Sequence, residues 1–136
     1  MSYMTKDGAI WAVMLSVGAG AFLGAMTRWL ITYLLNDKPW FIHAPMGTLI
    51  VNLMAGYLMG IVLSWLTFHP FVSAYVRLFL ITGFLGAFST ISAVVGENYN
   101  FVLHGQYLWA IIHYLLHVGG CYLMMIAGYW TMHARW

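Results

Sequence analysis

Apolar residues run along this chain in four long stretches, at about 10–35, 45–66, 75–103 and 108–132, with short polar or proline-bearing segments between them. Crossing a bilayer as a helix takes about 20 residues, so each stretch is long enough to span. The pattern predicts an all-α membrane protein: one four-helix transmembrane domain over 1–136, with no room for a soluble domain. Within the stretches, small residues recur at helical spacing. Gly20, Gly24 and Arg28 lie at i, i+4, i+8, and Thr48, Asn52, Gly56 and Gly60 recur every four residues. Such stripes lie on one helix face and let backbones approach closely. Asn36-Asp37-Lys38-Pro39 marks a turn.

Composition closes off other classes. The chain is 63% hydrophobic and 6% charged, with mean hydropathy +0.85. Soluble domains carry roughly 25% charged residues, so a water-soluble fold is excluded. The first stretch is too long for a signal-peptide core and is expected to remain in the mature protein. A single cysteine, Cys121, rules out an intrachain disulfide. No basic run suggests nucleic acid, and neither a catalytic triad pattern nor a phosphate loop points to an enzyme. With four spans, Lys6, Arg77 and Arg135 fall on one side, and Lys38 and Arg28 on the other. Orientation follows Lys/Arg asymmetry. Three against two is compatible with one orientation or with insertion both ways.

Polar groups inside the spans are the candidate chemistry, because lipid cannot solvate them. The segment 83–97 holds Gly83, Gly86, Ser89, Thr90, Ser92 and Glu97. Glycine weakens a helix by about 1 kcal/mol relative to alanine, and Ser and Thr offer the backbone alternative bonds. These residues argue for a break near the middle of the third span, where carbonyls and N–H groups can hold ions. The alternative is an unbroken helix whose hydroxyls bond to the preceding turn. Asn52 serves either as interhelical glue or as a donor lining an ion path. Trp109, His113, His117 and Cys121 lie at i, i+4, i+8 and i+12 on one face of the fourth span. Two His at i, i+4 can share a metal ion with Cys121 as a third ligand, or serve as hydrogen-bonded interior residues. No HExxH motif and no carboxylate accompany them.

Together these residues resemble the Fluc/CrcB family of small bacterial fluoride channels. The run Gly18-Ala19-Gly20-Ala21-Phe22-Leu23-Gly24-Ala25-Met26-Thr27-Arg28-Trp29 is similar to that family's first-helix pattern G-x-G-x-x-G-A-x-x-R-[YW]. Gly47-Thr48-Leu49-Ile50-Val51-Asn52, followed by Gly56, Tyr57 and Gly60, resembles its second motif, G-T-L-x-V-N-x-x-G-x-[FY]-x-x-G. Gly83-Phe84-Leu85-Gly86-Ala87-Phe88-Ser89-Thr90-Ile91-Ser92 resembles its third, with fewer matched positions, and Glu97 stands where the family's glutamate follows.

The resemblance implies an antiparallel dual-topology homodimer in the bacterial inner membrane, with two fluoride paths. It implies a broken third helix and a structural Na⁺ on the dimer axis, held by backbone carbonyls at the positions of Gly86 and Ser89. It implies an ion path at Asn52, Thr48, Thr90, Ser92 and Glu97, with Arg28 near one entrance. Ile91 and Val94 stand where the family has two phenylalanines that present ring edges to fluoride, Ala93 replaces a threonine, and His113 and His117 replace Tyr or Asn and Ser. The expected function is passive, electrodiffusive fluoride export. Asn52, Thr90, Ser92 and the His pair would supply donors, and Ile91 and Val94 a dry constriction. The alternatives are a subunit of a heterodimer whose partner brings the phenylalanines, a relative with lost or altered ion selectivity, and a small metal-ion transporter using His113, His117 and Cys121.

Overall fold

A computed structural model describes residues 10–36 and 45–136. Lys6, Lys38 and the turn residues Asp37 and Pro39 lie outside the described residues. Four helical spans emerge: Ile10–Leu35, Met46–Phe68, Ala74–Leu103 and Tyr107–His133. The boundaries fall within two residues of those the apolar pattern predicts. The first, second and fourth spans are single helices, here α1 (Ile10–Leu35), α2 (Met46–Phe68) and α6 (Tyr107–His133). This is a multi-pass membrane protein.

The third span is composite. It opens with α3 (Ala74–Arg77), capped by Ser73, whose hydroxyl accepts from the Val76 N–H. The Arg77 guanidinium donates to the Pro70 and Val72 carbonyls and so closes the preceding turn. A π-helical stretch, Leu78–Leu85, follows, then the short α4 (Gly86–Phe88). Helical backbone stops at Ser89 (φ −75°, ψ 156°) and Thr90 (φ −148°, ψ 115°) and resumes in α5 (Ile91–Leu103). π-Helix is rare and concentrates at functional sites.

The break falls near the middle of the third span, as expected, but at its Ser-Thr run and not at its glycines. Gly83 and Gly86 do not break the helix; Gly86 keeps helical angles (φ −63°, ψ −35°). Gly83 instead lets the π-helical stretch press on α1. A Cβ there would stand 2.6 Å from the Val17 carbonyl oxygen and 3.0 Å from the Gly20 Cα. Gly20 and Gly24 face the same seam from α1, with Phe84 N and Phe88 N respectively about 3 Å from where a Cβ would be. A second seam joins α2 to α6. A Cβ on Gly60 would stand 2.6 Å from the Tyr129 N, and one on Gly56 2.9 Å from the Cys121 Sγ. The glycine stripes are thus packing surfaces, as the four-residue spacing predicts, except Gly18, which has nothing within 4 Å of a Cβ.

Polar bonds fasten the first span to the third and second, and the third to the fourth. Ser16 Oγ donates to the Tyr75 carbonyl at 2.6 Å, Asn36 Oδ1 accepts from the Gly47 N–H at 2.9 Å, and Asn98 Nδ2 donates to the Ala110 carbonyl at 2.6 Å. A small core of Val51, Ala55 and Phe88 sits where α2 meets the third span. Most other large apolar side chains point outward, among them Trp11, Leu15, Phe22, Leu115 and Leu123. In a bilayer that costs nothing, since lipid is as apolar as they are.

Candidate functional site

The break at Ser89–Thr90 is made from across the fold, by Asn52 on α2. Its Oδ1 accepts from the Thr90 N–H at 2.9 Å, and its Nδ2 donates to the Thr90 carbonyl at 3.1 Å. A side-chain amide thereby pairs with one backbone residue on both sides, as a neighbouring peptide unit would. In a continuous helix the Thr90 N–H would bond to the Gly86 carbonyl; here that carbonyl loses its helical partner. Thr90 then turns to capping: its hydroxyl accepts from the Ala93 N–H at 3.3 Å and meets Ser92 Oγ at 3.2 Å.

The Thr90 pairing also fixes which way the Asn52 amide points, because a backbone N–H can only donate. The second amide proton of Asn52 therefore faces His117 Nδ1, 3.1 Å away, which accepts. Neutral His117 then carries its proton on Nε2. That atom is buried and has no hydrogen-bond partner among the described residues, as is His113 Nδ1. Both rings are only 3% exposed. Buried polar atoms without partners are uncommon, because each costs about 1–3 kcal/mol.

Glu97 enters from α5. Its Oε1 accepts from the Thr48 hydroxyl at 2.6 Å, and its Oε2 from His113 Nε2 at 3.1 Å. His113 and His117 are one turn apart on α6, with ring centroids 4.5 Å apart. The result is a largely buried polar chain, Thr48, Glu97, His113, His117, Asn52, Thr90, hydrogen-bonded at each step except between the two imidazoles, which meet by ring contact. The partner that the His pair acquires is Glu97 rather than Cys121. Glu97 and one ligand-type atom of each imidazole lie within 4.8 Å of one another. Sequence spacing along α6 had no means of showing this, although one signal existed. Gly105 (φ +70°) sits in the turn between α5 and α6, and Glu97 and His113 are each eight residues from it. Residues equidistant from the turn of an antiparallel helix pair come to face one another.

Two cavities flank this chain and share Thr90. One, of about 520 Å³, is lined by Arg28, Thr32, Asn36, Thr48, Ser92 and Glu97. The other, of about 560 Å³, is bounded by Asn52, Ile91, Val94, His117, Cys121 and Tyr122 among others. Ile91 is 64% exposed, whereas Val94 is 1% exposed. Gly86 and Ser89, the positions implied for carbonyl ligands, stand beside the break; Gly86 is exposed and Ser89 half-buried. Ten of the twelve candidate positions line one cavity or the other; Gly86 lies just before the break, and His113 joins the group through its bond to Glu97.

Residues 15–129 match the family described as CrcB-like protein, Camphor Resistance (CrcB). The chain belongs to the CrcB family. Among its relatives is the fluoride-specific ion channel FluC of Aromatoleum aromaticum, 44% identical over 115 residues, which are 85% of this chain and 86% of that protein. The protein of the same name from Erwinia tasmaniensis is 38% identical over 119 residues, covering 88% and 94% of the two chains. That from Nitrosospira multiformis is 40% identical over 117 residues, covering 86% and 90%. These CrcB-family relatives are named as channels, not as enzymes.

Proposed function

We propose that this protein is a fluoride channel of a bacterial inner membrane, passing the ion passively down its gradient. The observation that carries this reading is the mid-span break clamped by Asn52, set between a polar cavity and an apolar one. Fluoride is small and strongly hydrated, so a path must offer donors in place of water. Arg28 supplies positive charge in the polar cavity, and the Thr48, Thr90 and Ser92 hydroxyls supply O–H groups. Both amide protons of Asn52 are already engaged, by Thr90 and His117. Asn52 therefore positions the site, and the unpartnered His117 N–H is the donor beside it. Ile91 and Val94 narrow the path with apolar surface that strips larger hydrated ions.

The working unit in this proposal is an antiparallel homodimer of dual topology. The exposed Ile91, Ser92 and Gly86, together with Gly18 and its open space, support a second copy packing there. A sodium ion between the copies fits the residues present: the Gly86 carbonyl is freed by the break, and extended Ser89 turns its own carbonyl off the helix axis. When bound, the ion would supply a positive charge holding the two broken helices together.

The test is fluoride efflux from proteoliposomes containing only this chain, followed with a fluoride electrode, with chloride efflux as the control. Fluoride-selective efflux is the expected result. No efflux alone, with recovery on adding a relative that bears phenylalanines at the Ile91 and Val94 positions, would replace the homodimer by a heterodimer. Equal fluoride and chloride efflux would end the proposal of selectivity.

A further inference from the structure

We infer that Glu97, His113 and His117 form a binding site for a divalent transition-metal ion, and that its occupation closes the path. The inference rests on the ion path proposed above only for its second half; the ligand set stands by itself. One carboxylate and two imidazoles, each offering one atom, converge within 4.8 Å of one another. Around a tetrahedral zinc ion, with bonds of about 2.0–2.2 Å, ligand atoms stand about 3.5 Å apart. Closing the cluster takes ring and carboxylate shifts on the order of 1 Å.

Three features favour a metal over a merely structural knot. Two of the four imidazole nitrogens, His113 Nδ1 and His117 Nε2, are buried without a partner; His113 Nδ1 has a free lone pair, and His117 gains one at Nε2 on giving up that proton. Each ring is already oriented through its other nitrogen, His113 by Glu97 and His117 by Asn52. Metal-ligating histidines ordinarily donate their other ring N–H to an acceptor; His113 does so to Glu97, whereas His117 Nδ1 accepts from Asn52, a bond that His117 gives up on binding the ion. The charge also suits the ion: one carboxylate against a divalent cation, with two neutral nitrogen ligands.

The donor set selects among metals. Two imidazoles and a carboxylate suit Zn²⁺, Co²⁺ or Ni²⁺; Ca²⁺ and Mg²⁺ prefer oxygen alone. Three protein ligands leave a position open to water or to an anion. Glu97 borders one cavity and His117 the other, so the cluster is reached from either side. A bound ion would take the carboxylate from Thr48 and draw His117 from Asn52, and so immobilise the groups at the narrowest part of the path.

The experiment is a Co²⁺ titration of the full chain in detergent, read by visible absorption, in parallel with efflux from proteoliposomes. Wild-type protein is expected to bind one Co²⁺ per chain, displaced by Zn²⁺ and by a chelator, without the near-ultraviolet band of a cobalt–thiolate bond. Glu97→Gln, which removes a direct ligand, is expected to weaken binding by at least the roughly 10–100-fold typical of losing an outer-shell partner. His113→Gln combined with His117→Gln should abolish it, whereas His104→Asn with His133→Asn should leave it intact. Helix content and elution volume show which variants fold, and the wild-type titration alone suffices if one does not. Absence of a cobalt spectrum, a thiolate band from Cys121, or binding that survives the double replacement would overturn the site. Because the spectrum is read without fluoride, it stands or falls independently of conduction. Micromolar Zn²⁺ should then stop fluoride efflux and a chelator restore it; efflux unchanged by a bound ion would overturn the closing role.

Discussion

The cavity beside Glu97 and the cavity beside His117 are nearly equal in volume, about 520 and 560 Å³, and share a wall at Thr90, yet they are built from opposite materials. The first is lined by a guanidinium, a carboxylate, two amide or hydroxyl residues of α1, Thr48 and Ser92. The second is lined mainly by Ile91, Val94, Val118, Gly119, Tyr122 and Met125, with polar groups only at the Asn52, Ser89, Thr90 and His117 edge. An ion can keep much of its water in the first and little in the second. The boundary between them is one residue thick and is held by one side chain. In the proposed path, selectivity would then depend less on either cavity than on the step from one to the other.

The strongest way to break this contrast is to remove the boundary. Asn52→Leu strands the Thr90 N–H and carbonyl, each at a cost of about 1–3 kcal/mol. The thermal unfolding midpoint in detergent should fall more than for any other change here, and fluoride efflux should vanish. Retained efflux would show that the partition does not depend on the clamp. Next comes the polar side. Glu97→Gln keeps the shape but removes a charge that accepts two hydrogen bonds, and bonds to charged groups contribute about 1.5–3 kcal/mol each. Efflux should drop severalfold while the protein stays folded, as elution volume would show.

On the apolar side the two family positions should separate. Val94→Phe forces a ring into a fully buried place and should cost about 1–3 kcal/mol through overpacking. Ile91→Phe, at an exposed place, should change stability by less than about 0.5 kcal/mol and raise fluoride flux, since a ring edge carries the positive end of the aromatic quadrupole. Equal destabilisation by both would mean that the exposure of Ile91 is misjudged. The smallest effect is expected at the far wall. Cys121→Ala should shift stability by under about 1 kcal/mol and leave efflux unchanged; loss of efflux would extend the working site along α6 from His117 to Cys121.

What could be read from the sequence, and what could not, divides along physical lines. Span boundaries were legible because hydropathy reports each residue's preference for lipid without regard to its neighbours. The seams at Gly20, Gly24, Gly56 and Gly60 were legible because close approach of backbones demands glycine at that spacing. The break was foreseen from Gly83, Gly86 and the Ser89–Ser92 run; it falls at Ser89–Thr90, while Gly83 packs against α1 and Gly86 is an exposed helical residue. The break's real cause, the Asn52–Thr90 pairing, links positions 38 residues apart and leaves no local signature. Likewise the stripe His113, His117, Cys121 read correctly as one face, but the carboxylate facing the His pair came from a different helix.

The Asn52–Thr90 pairing also has a consequence for how the chain is assembled. In lipid an unbonded N–H costs several kcal/mol. Before α2 and the third span meet, the Thr90 N–H can be satisfied only by the Gly86 carbonyl, in an unbroken helix. The third span is therefore expected to enter the membrane unbroken and to open on docking against α2. The carbonyls at its centre are exposed last, when the protein around them is already in place.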